Sequence, residues 1–100
     1  MKENEWCVYV REYSELPGLQ NAGSIRYSLV QQDSGLSLRA EQFRAGQSIP
    51  VSRARCLLTG VTRRTAENLL RFLYENAVEP SSICAVVSDC LEQQILPQCR

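Results

Sequence analysis

Cysteines are the first residues in this sequence that suggest chemistry. There are five of them, and no two form the C-x-x-C spacing that is typical of a zinc ribbon. We therefore expect most of them to be small buried hydrophobic residues in a reducing compartment. Cys99, near the end of the chain, is the thiol expected to be exposed. Cys84 is the only cysteine whose position, early in a predicted helix, favours a reactive thiolate. The five are Cys7, Cys56, Cys84, Cys90 and Cys99.

Histidine is absent from the sequence. This absence excludes Ser-His-Asp and Cys-His catalysis, proton transfer by histidine and histidine ligation of metals. The only lysine is Lys2, so the chain offers neither a buried Schiff-base lysine nor a phosphate-loop lysine. We expect no enzymatic activity, no cofactor and no metal site.

Arginine is concentrated in the middle of the chain. Residues 39–71 contain seven arginines and two glutamates, although the net charge of the whole chain is zero. Such a segment can bind a phosphate, a nucleic-acid backbone or an acidic protein, or it can be a solvated surface that pairs with carboxylates elsewhere. The pI of about 6.2 is low for a nucleic-acid-binding module. The candidate binding residues are Arg53, Arg55, Arg63, Arg64 and Arg71.

Four segments with a period of two are predicted to form strands. They span residues 6–13, 25–31, 36–43 and 51–58. Asp33-Ser34-Gly35 predicts a tight turn between the second and third strands. The alternation in the fourth segment is weaker, and a helix over residues 53–58 stays open as an alternative.

Two later segments have the helical period of 3.6 residues. The first spans about residues 63–76, with Thr62 as its N-cap. The second begins at Pro80, which is favoured at the first helical position, with Glu79 as the N-cap. The apolar stripe of the first helix is Ala66, Leu69, Leu70, Leu73 and Ala77. That of the second is Ile83, Val86, Val87, Cys90, Leu91 and Ile95.

Strands followed by helices predict an α+β fold in the order ββββαα. We expect a four-stranded antiparallel, meander-like sheet followed by a two-helix hairpin packed on one of its faces. Residues 1–100 then form a single domain, with a β-rich half at about 6–58, a two-helix half at about 62–96, and frayed residues at 1–4 and 97–100. Asp89 is predicted to form a structural salt bridge with Arg63, Arg64 or Arg71 of the facing helix.

The face of the sheet turned away from the helices is a second candidate site. Tyrosine and arginine, which are common in protein interfaces, are expected there. The face can be merely polar, can self-associate, or can stack bases, although the βαββαβ order and aromatic motif of an RNA-recognition sheet are absent. The residues expected on it are Cys7, Tyr9, Arg11, Tyr13, Arg26, Ser28, Arg39, Glu41, Arg53 and Arg55.

The helical half carries a further pattern, in the segments VTRRTAENLL, LYENAVEP and ICAVVSDCL. These segments resemble the small bacterial proteins of the domain of unknown function 6514 family. Tyr27-Ser28-Leu29-Val30 corresponds to a strand of that family, and Ala85 stands where the family has an acid. The resemblance covers about residues 25–91 and implies a bacterial, cytoplasmic protein, but no activity or catalytic residue. The remaining matches are Val78, Pro80 and Ile83 in a turn, and Val86, Val87, Asp89 and Leu91 in the second helix.

Two further absences concern location. Residues 1–13 contain no apolar segment like that of a secretion signal, and no run approaches the ~18–20 apolar residues of a membrane span. We therefore expect a cytoplasmic protein that does not bind membranes. Its expected function is that of a non-catalytic protein-interaction or regulatory module, whose partner is another protein or a second copy of itself. The alternative is binding of nucleic acid or another anion through the arginine-rich segment.

Overall fold

The computed structural model describes residues 4–14, 17, 22–32 and 35–93. Four strands, β1 (Asn4–Tyr13), β2 (Gly23–Gln32), β3 (Gly35–Arg44) and β4 (Ser52–Leu58), form an antiparallel sheet in the order β1-β2-β3-β4. Helix α1 (Arg63–Glu75) follows, and a 3₁₀ turn at Pro80–Ser82 leads into helix α2 (Ile83–Gln93). The α+β order and the meander are confirmed.

Several element boundaries differ from the prediction or lie outside the described residues. Residues 51–58 contain the strand β4 and not a helix, the alternative that the sequence leaves open. Alternate side chains of β4 pack against the core, as in a strand with one buried face. Asn4, expected to be frayed, is the first residue of β1. The α-helical part of the second helix begins at Ile83 instead of Pro80. Asp33, Ser34, Ile95 and residues 97–100 lie outside the described residues.

The core lies between the sheet and the two helices, on what we call the inner face. Helix α1 lies over β2 with contacts to β1 and β3, and helix α2 lies over β4. Tyr27 and Leu29 of β2 and Leu38 of β3 are fully buried there. The helices contribute apolar residues at the predicted spacing. Those that are buried are Ala66, Leu69, Leu70, Leu73, Ile83, Val87 and Cys90.

Strand β1 contains a β-bulge. Its register against β2 shifts by one residue between Trp6 and Tyr9, so that Cys7 and Val8 both lie opposite Ser28. Cys7 has a φ of 59°, in the left-handed region that glycine adopts more easily. Because the bulge adds one residue, positions that simple alternation would place on the same face of β1 lie on opposite faces before and after it.

The bulge makes one part of the sequence prediction wrong. Cys7, Tyr9 and Tyr13 pack against the inner core and do not lie on the opposite face. The Tyr9 ring stacks on Tyr74 of α1 with 5.0 Å between centroids. Arg11, which was also expected on the opposite face, donates from Nη1 to the backbone oxygen of Tyr74 at 3.3 Å. Strand β1 therefore helps to anchor α1.

Both ends of α1 are capped. Thr62 Oγ1 accepts a hydrogen bond from the backbone at 3.2 Å and is the N-cap, as predicted. At the other end, Val78 N–H donates to Leu73 O and Ala77 N–H donates to Tyr74 O, the pattern of a Schellman C-cap. Ala77 takes the left-handed conformation, with a φ of 50°. It is exposed and ends the helix, so it does not extend the apolar stripe as predicted.

Tyr27 fixes the connection between the helices onto the sheet. Its side chain is fully buried, and its hydroxyl donates to the backbone oxygen of Val78 at 2.8 Å. Burial raises the pKa of the Tyr27 hydroxyl to about 12, so it remains a protonated donor. Ile83 is buried and Val78 packs against the same core, in the arrangement of a hydrophobic staple at the start of the second helix.

Candidate functional site

The outer face of the sheet is the side turned away from both described helices. Cross-strand pairing arranges part of it as three rows that each run from β1 to β4. The first row is Glu5, Val30, Ser37 and Leu57. The second row is Val8, Ser28, Arg39 and Arg55. The third row is Val10, Arg26, Glu41 and Arg53.

An ion-pair network joins three strands at the centre of this face. The Glu5 carboxylate accepts two hydrogen bonds from Arg26, with Nη1–Oε2 2.7 Å and Nη2–Oε1 2.5 Å. It also accepts one from Arg39 Nη2. Arg26 Nη1 lies 3.6 Å from Glu41 Oε1. The four side chains are only 15–33% exposed, so the network is better shielded from water than an ordinary surface ion pair.

The environment of Glu5 is strongly electropositive. Hydrogen bonding from Arg26 lowers the pKa of the Glu5 carboxyl to about 2. The same contact raises the pKa of Arg26 above its ordinary value. Two parallel N–H···O bonds between a guanidinium and a carboxylate also fix their relative orientation. The network therefore holds β1, β2 and β3 together on the face that the helices leave uncovered.

Glu5 is the residue of this site that the sequence did not reveal. It precedes the predicted first strand, and simple alternation would place it on the same face as Tyr9. Only the bulge at Cys7 puts Glu5 on the outer face while Tyr9 faces the helices. No feature of a single sequence marks this bulge, because the position that glycine would usually occupy is a cysteine.

Apolar residues are exposed at both edges of the outer face. On β1, Val8 and Val10 are 42% and 48% exposed, and on β4 Leu57 is 53% exposed. In the middle of the face, by contrast, the apolar residue Val30 is fully buried. Singly exposed apolar residues are ordinary on protein surfaces, but these three share one sheet face that no described helix covers.

The β4 side of the outer face is rich in arginine. Arg39 lies directly opposite Arg55, and Arg53 lies opposite Glu41. A surface cavity of about 310 Å³ is lined by Arg39, Arg53, Ala54 and Arg55. Arg55 Nη1 donates to Gln32 Oε1 at 2.9 Å. Like charges across a strand pair repel, so a carboxylate or phosphate in this cavity would be stabilising.

The remaining candidate arginines lie elsewhere. Arg63, Arg64 and Arg71 belong to α1, which packs on the inner face. Arg63 Nε lies 3.3 Å from Glu67 Oε2, and Arg71 Nε lies 3.1 Å from Glu75 Oε2, in exposed pairs one helical turn apart. The five candidate arginines therefore do not form one surface, and only the two in β4 share the outer face.

Asp89 is exposed on α2. Within residues 4–14, 17, 22–32 and 35–93, no ion pair joins it to Arg63, Arg64 or Arg71. The reason is the placement of the helices, because α2 lies over β4 while α1 lies over the first three strands. The salt bridge expected from the sequence is not part of the described structure.

The cysteines divide into buried and exposed thiols. Cys90 is buried, Cys7 and Cys56 are partly buried, and burial raises the pKa of each of these three thiols. A raised pKa lowers the thiolate fraction at neutral pH. Cys84 is exposed, and Cys99 lies outside the described residues. In the part of the chain that the structure describes, no three Cys, Asp or Glu residues are grouped to hold a metal ion.

These observations define an α+β protein with two helices on one face of an open meander and a charged, partly apolar face on the other side. No protein-family model matches the sequence, and comparison with curated proteins and with solved structures gives no significant match. The resemblance to the domain of unknown function 6514 family therefore stays a prediction. None of the described helices has the length and apolar character needed to cross a membrane.

Proposed function

We propose that the protein is a non-catalytic interaction or regulatory module that binds another protein through the outer face of its sheet. The supporting observation is the exposure of Val8, Val10 and Leu57 on a face that neither described helix covers. Exposed apolar residues next to arginine are a combination that is common in protein interfaces. A bacterial, cytoplasmic setting is part of the proposal and follows from the family resemblance.

The charges of the outer face indicate what the partner presents. Its three rows contain four arginines and two glutamates, and both glutamates contact arginines of the network. Two of these arginines, Arg53 and Arg55, lie two residues apart in β4, at one edge of the rows. We propose a partner segment that places carboxylates near these two arginines and an apolar side chain on Leu57. Complementary charges of this kind fix the register of an interface and accelerate association.

A second copy of the chain is the other protein partner that the face accommodates. Among the strands that the structure describes, β1 lies at one edge of the sheet, and Val8 and Val10 are exposed along it. An edge strand presents unpaired backbone N–H and C=O groups that can pair with another chain. Sedimentation velocity over a range of concentrations distinguishes this case, because it detects self-association directly. If two copies associate through β1, we expect Val10→Thr to weaken the association.

The test of the proposal is a comparison of two matched variants. Leu57→Thr removes an exposed aliphatic side chain from the outer face, and Ile49→Thr removes one from the β3–β4 loop, where Ile49 is 75% exposed. Each tagged variant is used to capture proteins from cells of the native organism, with quantitative mass spectrometry. We expect partners that wild type and Ile49→Thr capture equally and that Leu57→Thr captures at least tenfold less. Equal capture by both variants, or no partner for wild type together with a monomer in sedimentation, contradicts the proposal.

Binding of an anion or a nucleic acid is the second candidate function, favoured by the cavity between Arg39, Arg53 and Arg55. Fluorescence anisotropy with a labelled single-stranded oligonucleotide at low and high salt tests it. If this candidate is correct, affinity falls with salt and is lost in the Arg53→Ala/Arg55→Ala variant. The matched Arg63→Ala/Arg64→Ala variant then binds as wild type does. Equal binding by both variants would remove the β4 arginines as the site.

A further inference from the structure

Two thiols meet where α2 packs on β4. Cys56 lies in β4 among residues that pack on the inner core, and Cys84 is the second residue of α2. The Cys84 thiol donates a hydrogen bond to the backbone oxygen of Arg55, with 3.5 Å between Sγ and the oxygen. Because Arg55 directly precedes Cys56 in β4, this contact places the Cys84 sulfur beside Cys56. Both cysteines are free thiols in the structure.

The two members of the pair differ in access to solvent. Cys84 is exposed, whereas Cys56 is partly buried beneath it. Burial, reinforced by the neighbouring Cys84, raises the pKa of the Cys56 thiol to about 11. A soluble oxidant therefore meets Cys84 first, and Cys56 is positioned to react with the product.

We propose that Cys84 and Cys56 form a reversible disulfide when the protein meets a hydroperoxide. The sulfur of Cys84 attacks one peroxide oxygen, the O–O bond breaks, and Cys84 becomes a sulfenic acid while the departing oxygen takes the thiol proton. The sulfur of Cys56 then attacks the Cys84 sulfur. The S–S bond forms, the S–O bond breaks, and hydroxide leaves with the Cys56 proton as water. With hydrogen peroxide, two thiols lose two electrons in total and the peroxide becomes two molecules of water.

The disulfide would add a covalent bond between the sheet and the helical half of the fold. It joins β4 to α2 covalently and closes a loop that contains the whole of α1. A cross-link of this kind restricts the unfolded chain, so the oxidised protein is expected to be more stable than the reduced protein. A small dithiol reductant reverses the bond by thiol–disulfide exchange.

The test uses the full reduced chain, treated with hydrogen peroxide and then alkylated. Trypsin cleaves after arginine, so Cys56 is carried by the peptide of residues 56–63 and Cys84 by that of residues 72–100. Before alkylation, we expect the intact mass to fall by two hydrogens, and after alkylation and digestion we expect these two peptides to be linked. Fragmentation is expected to locate the bond at Cys84, and dithiothreitol is expected to release it. The oxidised protein should also melt several degrees above the reduced protein.

Four variants separate this bond from other thiol chemistry. Cys84→Ser and Cys56→Ser are expected to abolish both the linked peptides and the rise in melting temperature. Cys7→Ser and Cys99→Ser are expected to leave the yield of linked peptides unchanged. Since Cys84 is exposed, its serine variant is expected to fold even if the Cys56 variant does not. The proposal is overturned if Cys84 oxidises to sulfinic acid while Cys56 stays a thiol, or if the peptide of residues 56–63 links to Cys90 or Cys99 instead.

Discussion

The two faces of the sheet are made from the same four strands but use their residues in opposite ways. On the inner face, apolar side chains such as Tyr27 and Leu29 are fully buried beneath the helices. On the outer face, Glu5 and Arg26 lie at the centre of an ion-pair network, and apolar residues such as Leu57 are half exposed. Packing accounts for the inner face. It does not account for exposed apolar residues beside the arginines of the outer face, which is why we propose that this face binds a partner.

The largest expected effect is on the inner face. Leu58 of β4 is only 5% exposed and packs in the core. Replacing it in Leu58→Ala removes buried methyl groups and leaves a cavity, so we expect the free energy of unfolding to fall by about 2–5 kcal/mol. Urea denaturation followed by circular dichroism measures the change. A loss of well under 1 kcal/mol would mean that the helices do not pack on β4 as described.

The ion-pair network of the outer face is expected to contribute the next largest effect. The folded-state pKa of Glu5 is about 2, below its ordinary value of 4.5. The stabilisation is therefore fully present above about pH 4.5 and is lost as the pH falls towards about 2. Converted directly, the lowered pKa of Glu5 corresponds to about 3–4 kcal/mol, and screening by solvent makes the actual contribution to the free energy of unfolding smaller.

Glu5→Gln isolates this contribution, because glutamine keeps the shape of the side chain but cannot ionise. Compared with wild type, we expect the variant to be less stable at neutral pH and to lose less stability on acidification. Urea denaturation at neutral pH and at about pH 3 compares the two proteins. Parallel losses of stability in both would show that Glu5 does not carry the acid sensitivity.

A smaller effect is expected for the hydrogen bond that ties the inner face to the connection between the helices. Tyr27→Phe keeps the ring in the core but removes the donor to Val78 O, a contact of 2.8 Å. Leaving a carbonyl without its donor is expected to cost about 1–2 kcal/mol. Thermal melting gives the loss, and hydrogen exchange is expected to show faster opening at residues 76–79. Unchanged exchange there would contradict the role assigned to Tyr27.

The smallest effect on stability is expected for Leu57, which directly precedes Leu58 in the chain but lies on the outer face. Leu57→Thr changes an exposed side chain of the outer face and keeps a residue suited to a strand, so stability should change by less than about 1 kcal/mol. The same denaturation experiment as for Leu58→Ala measures it. A loss as large as that of Leu58→Ala would mean that Leu57 is a structural residue, and the contrast between the faces would fail.

Much of the inner face could be predicted because its pattern is unbroken. In β2 and β3 every inner residue keeps the period of two, as Ile25, Tyr27 and Leu29 do. The stripe of α1 keeps the helical period from Ala66 to Leu73. Alternation in β4 likewise predicts that Arg53 and Arg55 share one face.

The rest could not be predicted because two residues with a left-handed backbone conformation are not glycines, so nothing in the sequence marks them. Cys7 occupies the bulge of β1 and Ala77 occupies the C-cap of α1, at φ values of 59° and 50°. The first exchanges the faces of β1 after the bulge, so that Tyr9 packs on the inner core and Val10 lies on the outer face. The second ends the helix where the apolar pattern still continues. The distance from Asp89 to α1 depends on how the two helices share the sheet, which local periodicity does not encode.

Site-specific photocrosslinking tests the central claim, that the outer face binds a protein, most directly. A photoreactive amino acid replaces Leu57 in one variant and Ile49 in another, at two exposed positions on different surfaces. After illumination in cells of the native organism, we expect a discrete adduct of the chain with a second polypeptide from position 57 and none from position 49. No adduct from position 57, or the same adduct from both positions, would contradict the assignment of binding to the outer face.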